Sequence, residues 1–219
     1  MPQRKGMKLD MPVKRLIVRL TLFLIPAICI MFWIYELKQG KMPYIDQVTR
    51  EFVSMVANTP VYTLFRWVTE LGSRTFVLPF TLIMMVVLGW LTKSGIVPLI
   101  FGSGTLGAQL LNRMIKQLIE RERPSISAAL NAQGYSFPSG HAMTSIVCYG
   151  LLAYFLSQSY PERKKIIVIS FGILIFLIGM SRYFINVHYI TDILTGFFFG
   201  YVWLLFVIFL YRKLKNSPN

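Results

Sequence analysis

Six apolar runs divide the chain, at about residues 18–36, 74–91, 95–113, 142–158, 165–183 and 190–211. A helix needs about 20 apolar residues to cross the hydrocarbon core of a bilayer, and each run is long enough, or nearly so. The second is among the shorter ones, with charges at its flanks, Arg74 and Lys93. Pro26, Pro79 and Pro98 lie inside the runs, which membrane helices tolerate where neighbours satisfy the backbone. Trp33, Tyr35, Trp90, Tyr183 and Tyr211 fall near run ends, where an interfacial aromatic belt is expected. The first run follows a basic stretch but ends Phe32-Trp33-Ile34-Tyr35-Glu36. That ending lacks the small-x-small site a signal peptidase needs, so an uncleaved anchor is expected. The pattern predicts an all-α polytopic membrane protein with six transmembrane helices, forming a single domain over residues 1–219.

The stretch 37–73 between the first two runs has a different period. Ile45, Val48, Phe52, Met55 and Val56, then Val61, Leu64, Phe65 and Val68 after Pro60, recur at helical spacing with charges between them. This predicts two short amphipathic helices on the membrane surface, with an ordinary packed loop as the alternative. Gly102, Gly104 and Gly107 spell GxGxxG. That fingerprint binds dinucleotides only after a strand within a βαβ unit, and here it lies in a membrane run. Small residues such as Gly104 and Ala108 are expected to let helices pack closely.

Composition agrees with the membrane reading. The chain has 219 residues, 55% hydrophobic and 15% charged, against about 25% charged in soluble domains. The net charge of +14 suits either nucleic acid or the basic cytoplasmic loops of a membrane protein, and position decides between them. Six crossings put both termini on one side, together with Arg4, Lys5, Lys8, Lys14, Arg15, Arg19, Lys93, Arg163, Lys164, Lys165, Arg212, Lys213 and Lys215. That side holds 13 of the 23 Lys and Arg with two acids, and the other side 10 with seven. The positive-inside rule therefore makes both termini cytoplasmic, and no nucleic-acid partner is needed. Cys29 and Cys148 sit in apolar runs with no CxxC or metal-ligand spacing, and are expected to be small buried hydrophobes.

The candidate chemistry lies at the outer ends of the runs. The two histidines are His141, in Pro138-Ser139-Gly140-His141, and His188, which follows Ser181-Arg182 and precedes Asp192 by four residues. Lys116 and Arg123-Pro124 close the third run, and charges at the membrane edge are expensive and usually functional. Lys116 and Arg123, seven apart, would share a helix face ended by Pro124. Ser139 and Gly140 precede the fourth helix, whose free N–H groups form an anion site that glycine lets a ligand approach. His188 and Asp192 at i, i+4 would share a helix face, the carboxylate orienting the imidazole. Arg182 adds a planar fork suited to phosphate oxygens, whereas Arg121 is expected to anchor lipid headgroups. Cations and amides to hold equatorial oxygens, one histidine to attack and another to protonate the leaving oxygen make a phosphoryl-transfer site needing no metal or other cofactor.

The three segments Lys116-x6-Arg123-Pro124, Pro138-Ser139-Gly140-His141 and Ser181-Arg182-x5-His188-x3-Asp192 resemble the tripartite signature of the type 2 phosphatidic acid phosphatase (PAP2) superfamily, with every signature position filled. The likeness is greatest to small bacterial members such as phosphatidylglycerophosphatase B and undecaprenyl-diphosphate phosphatases. The resemblance implies His188 as nucleophile, Asp192 as its orienting carboxylate and His141 as general acid. It also implies phosphate binding by Lys116, Arg123, Ser139, Gly140 and Arg182. Function would then be removal of phosphate from phosphatidylglycerophosphate, phosphatidic acid or undecaprenyl diphosphate through a phosphohistidine, on the outer face of a bacterial cell membrane. The partners implied are the lipid substrate and the bilayer, without an obligate protein partner. Two other readings compete. Vanadium haloperoxidases share the signature but are soluble and much larger. An anion transporter or lipid-binding protein would not need both histidines.

Overall fold

The computed structural model describes residues 11–57, 59–124 and 134–216. Among these residues the structure is helical, with no strand. The helices are α1 (Met11–Lys38), α2 (Tyr44–Val56), α3 (Pro60–Glu70), α4 (Arg74–Thr92), α5 (Ile96–Ile119), α6 (Gly140–Ser159), α7 (Lys164–Phe184) and α8 (Ile190–Lys215). A single 3₁₀ turn, Pro161–Arg163, joins α6 to α7. Among the described residues five stretches are long and apolar enough to cross a membrane: Lys14–Lys38, Arg74–Thr92, Gly140–Ser159, Pro161–Phe184 and Ile190–Lys215. The remaining expected span corresponds to α5, which has the length, at 24 residues. Gln109, Asn112, Arg113, Lys116 and Gln117 make its last turns polar.

The packing runs inside out relative to a soluble bundle. Helix α6 is the axis, packed against α4, α5, α7 and α8, and most of its residues are buried. Helix α1 stands at the edge, touching α8 and α5, with Leu22, Ile28 and Met31 exposed. Exposed aliphatic and aromatic side chains likewise cover α4, α7 and α8. Each such side chain kept in water forgoes about 1.5–3 kcal/mol, so a contiguous apolar belt of this extent belongs against lipid. Trp90 and Tyr35 lie on that exposed surface. Tyr183 and Tyr211 do not join the expected aromatic belt, because both are buried: Tyr183 donates its hydroxyl to the Thr49 carbonyl, and Tyr211 packs edge-on against Phe155. Cys148 is buried as expected, whereas Cys29 faces outward from α1.

Close approach between helices is set by small residues. A Cβ at Gly196 would lie 2.6 Å from the Ser139 carbonyl oxygen, and one at Gly200 would lie 2.7 Å from that of Met143. This four-residue glycine spacing brings the backbone of α8 directly onto the first turns of α6. The Ser139 N–H can therefore donate to the Asp192 carbonyl at 2.9 Å. The GxGxxG glycines also serve packing: side chains of Leu151, Val207 and Trp203 press on Gly104 and Gly107, and the Trp203 indole N–H donates to the Gly104 carbonyl at 2.9 Å.

Helices α2 and α3 occupy the stretch with amphipathic spacing. Their apolar stripes point outward, with Val48, Phe52 and Met55 exposed on α2, and Val61, Leu64 and Trp67 on α3. The inward face of α2 carries Val53 and Asp46, the latter fully buried. Helix α3 packs against α7, and the Tyr149 hydroxyl of α6 donates to the Leu71 carbonyl at 2.7 Å, drawing the α3–α4 turn over the end of α6.

Candidate active site

The end of α5 supplies the first two cations, although not on one helix face. Glu120 adopts a left-handed backbone (φ 57°) and caps α5, its N–H bonding the Lys116 carbonyl. The helix thus stops four residues before Pro124, and Arg123 lies in the following extended segment. Lys116 and Arg123 converge instead on the backbone of 134–136. The Lys116 Nζ donates to the carbonyls of Tyr135 and Ser136, the latter at 3.0 Å. The Arg123 Nε donates to the Gly134 carbonyl at 2.8 Å and its Nη2 to Tyr135 at 3.3 Å. Residues 125–133 of the outer loop lie outside the described part of the chain.

The PSGH segment leads into α6 after a cis peptide bond between Phe137 and Pro138. Ser139 is the N-cap, its Oγ accepting from the Ala142 N–H at 3.5 Å. Gly140 and His141 open the helix, and their N–H groups have no acceptor within it, leaving two donors at the positive end of its dipole. Asn112 of α5 braces the turn, donating through Nδ2 to the Pro138 carbonyl at 3.2 Å. A Cβ at residue 140 would meet Asn112 Oδ1 at 2.9 Å, so glycine is needed there for close approach. The His141 Nε2 is buried and has no hydrogen-bond partner among the described residues.

His188 and Asp192 do meet, but not as residues on one helix face. Helix α8 begins at Ile190 with Tyr189 as N-cap, so His188 lies in the α7–α8 connection. Asp192 is at N3 of a capping box, its Oδ2 accepting from the Tyr189 N–H at 3.0 Å and contacting His188 Nδ1 at 3.2 Å. A proton on Nδ1, donated to the carboxylate, leaves the Nε2 lone pair available. That nitrogen is 3.1 Å from Arg123 Nη1, which also donates to the Val187 carbonyl at 2.8 Å.

Arg121 is not the headgroup anchor expected. It is buried, with Nη1 2.7 Å from Asp192 Oδ1 and Nη2 2.7 Å from Asp46 Oδ2. Its guanidinium stacks over the Tyr189 ring, 3.8 Å from the centroid. Asp46 in turn accepts from Thr191, at 3.0 Å from N and 2.6 Å from Oγ1. One carboxylate of α2 and one of α8 thus share a buried guanidinium. Asp192 is held from both sides, by Arg121 at one oxygen and by His188 and Tyr189 at the other. Loop spacing alone could not reveal this, because Asp46 and Arg121 are 75 residues apart. The available signal was a lone acid on the inward side of an otherwise outward-facing apolar helix.

These segments border a cavity of about 600 Å³. Lys116, Arg123, Gly140 and His141 line it, joined by Arg74, Gln109, Asn112 and Arg113, with no carboxylate in the lining among the described residues. Ser139, Arg182, His188 and Asp192 are buried and stand outside the lining. Arg182 donates through Nη1 to Thr69 Oγ1 at 2.9 Å, and its carbonyl accepts from the His188 N–H at 3.2 Å. Burial, reinforced by the positive charges of Arg123, Lys116, Arg182 and Arg121, holds the His188 imidazole well below the ordinary histidine value of 6.5. Burial likewise lowers the Arg123 guanidinium from its ordinary value, against the opposing charge of Asp192.

A family model described as the PAP2 superfamily matches residues 97–216, more than half of the chain. The chain belongs to the PAP2 superfamily. Phosphatidylglycerophosphatase B of Bacillus subtilis (strain 168) is 35% identical over 139 residues, covering 61% of this chain and 66% of that protein. The chain therefore matches just under two thirds of that relative's length. The crystal structure of the first transmembrane PAP2 type phosphatidylglycerolphosphate phosphatase, from Bacillus subtilis, superposes with a TM-score of 0.70 at 28% identity. That match covers 88% of this chain and 98% of the other. With its apolar spans, this likeness makes the chain a transmembrane PAP2 protein.

Proposed function

We propose that the protein is an integral membrane phosphatase that removes a terminal phosphate from a membrane lipid through a phosphohistidine. One observation carries the reading. His141 lines the cationic cavity, with a buried Nε2 that has no partner among the described residues, and His188, buried behind the lining, has Nδ1 tied to Asp192 and Nε2 against Arg123, which itself lines the cavity. Anion binding alone would require neither imidazole.

Catalysis then proceeds in two displacements. Lys116, Arg123 and Arg182, with the Gly140 and His141 N–H groups and the Ser139 hydroxyl, bind the non-bridging oxygens. Such donors act most strongly on the charge that grows in the transition state. Because Arg123 Nη1 lies against His188 Nε2, in-line attack requires the guanidinium to pass to a phosphate oxygen. The Nε2–P bond forms as the bond from phosphorus to the lipid oxygen breaks, and His141 gives that oxygen its proton. Water then attacks phosphorus, His141 takes its proton, and inorganic phosphate leaves with His188 restored. Asp192, fixed by Arg121, keeps the proton on Nδ1 and balances the charge on the phosphorylated imidazole.

The cations supply the positive charge that a metal supplies in other phosphatases, so no metal cofactor is proposed. Protein in vesicles containing EDTA should release phosphate from at least one of phosphatidylglycerophosphate, phosphatidic acid and undecaprenyl diphosphate, and vanadate should inhibit it. Activity lost in the chelator and restored by magnesium would overturn the metal-free mechanism. Inactivity on all three lipids would overturn the function.

The orientation proposed has α5 as the sixth span, both termini cytoplasmic and the cavity on the outer face. Support comes from the basic excess on the terminal side. The exposed apolar stripes of α2 and α3 support their lying in the outer membrane surface. Truncation fusions after residue 130 should report an extracytoplasmic end and fusions after residue 162 a cytoplasmic one. The reverse pattern would place the chemistry inside.

A further inference from the structure

The cavity holds more positive charge than one phosphate uses. Beyond Lys116 and Arg123, its lining includes Arg74, from the first turn of α4, and Arg113 of α5. No carboxylate lies within ion-pair distance of either among the described residues. Gln109 lines the same cavity, and its Nε2 is buried without a hydrogen-bond partner among the described residues. A buried amide N–H left unpaired costs about 1–3 kcal/mol, so it marks a place where a ligand acceptor fits. Arg113 precedes Lys116 by three residues and Gln109 precedes Arg113 by four. They therefore follow one side of α5, about 4.5 Å and then about 6 Å further along its axis. In the proposed orientation that direction leads from the reacting phosphate toward the bilayer centre, where the lipid's own tail must lie.

We propose that Arg113, Arg74 and Gln109 form a second anion subsite, which holds the phosphate that the lipid keeps after the terminal phosphate is removed. The inference rests on the lipid phosphatase reading and names its substrate class: lipids carrying two phosphates, one nearer the tail. A terminal phosphate brings about two negative charges to Lys116, Arg123 and Arg182. A second phosphate meets Arg113 and Arg74 and accepts from Gln109. Phosphatidic acid, with one phosphate, leaves these three groups unused. Recognition of the retained group binds ground and transition states alike unless it also positions the reacting phosphate, and one turn of separation lets it do both.

The test compares kcat/KM for phosphatidylglycerophosphate with that for phosphatidic acid, each in vesicles of one neutral lipid. The ratio of the two cancels any loss of active protein. Arg113→Gln should lower it about 10- to 100-fold, the worth of one or two charge-assisted hydrogen bonds. Arg74→Gln should lower the same ratio, and Arg113→Lys should retain most of it. Phosphatidylglycerol, which bears the retained phosphate, should inhibit the unmodified protein competitively and Arg113→Gln more weakly, whereas diacylglycerol should inhibit neither. A ratio unchanged in both glutamine variants, or equal inhibition by the two products, would overturn the subsite. The parent function would stand in that case, because it fails only if the unmodified protein releases phosphate from no lipid.

Discussion

Replacing His188 with alanine should abolish turnover on every phosphate ester, good leaving group or poor. The expectation follows from what surrounds the side chain. Lys116, Arg121, Arg123 and Arg182 are the charged groups that lower its proton affinity; the three guanidiniums have no lone pair to offer, and the Lys116 amine is turned to the Tyr135 and Ser136 carbonyls. Asp192 is engaged on both oxygens by Arg121, Tyr189 and His188. No neighbouring side chain can therefore take over the attack, and loss of the nucleophile removes the covalent path altogether. The active form of the imidazole is neutral. Burial and four cations lower its pKa in the protein, so protonation, and with it loss of activity, is deferred to more acidic solution. The acid limb of kcat/KM should lie below pH 6.5, once the substrate's own ionisation is allowed for. Measured turnover by the alanine variant, or an acid limb centred above 6.5, would contradict the assignment.

Substitution of His141 should have the second largest effect, and one that depends on the leaving group. A lipid alkoxide leaves badly unless protonated, whereas p-nitrophenolate leaves well alone. General acid catalysis is worth about 10²–10⁴-fold, so His141→Ala should lose about that much in phosphorylation by a lipid phosphomonoester. With p-nitrophenyl phosphate the loss in the same single-turnover step should be far smaller. Dephosphorylation must be followed separately, since the same histidine acts there as base toward water. His141 lines the cavity, and its Nε2 is buried without a partner among the described residues. The α3–α4 turn presses on it, so that a Cβ on Gly72 would approach its Cδ2 to 3.0 Å. Equal losses with both substrates would make His141 a phosphate-binding group and withdraw the general-acid role.

The parts of this architecture legible in sequence were those with local signatures. Apolar runs of membrane length marked the positions of α1, α4, α6, α7 and α8, because a membrane helix is apolar almost throughout whether it faces lipid or, like α6, its neighbours. Helix α5 was harder to delimit. Its last turns carry the polar residues that line the cavity, and its end is fixed by the left-handed Glu120 rather than by Pro124. The pairing of His188 with Asp192 was legible from spacing, but its geometry was not. A capping box at Tyr189 puts the histidine before the helix and the aspartate inside it. Least legible was the ion pair from Asp46 through Arg121 to Asp192. Its members lie on three separate segments, and only tertiary packing makes Arg121 a buried bridge. Such a bridge ties α2, whose apolar stripe faces outward, to the carboxylate that orients the proposed nucleophile. Severing one buried partner typically costs about 3–5 kcal/mol, so the tie is strong enough to make α2 part of the site rather than a cover for it.

The central claim is that phosphate passes through His188. Rapid mixing with a lipid carrying a radiolabelled terminal phosphate, quenched in alkaline denaturant to preserve phosphohistidine, tests it most directly. The account predicts protein-bound label within one turnover, stable to base and labile to acid, mapping to the peptide that contains His188 and absent from His188→Ala. Phosphate release at full rate with no labelled protein at any time, or label on another residue, would contradict it.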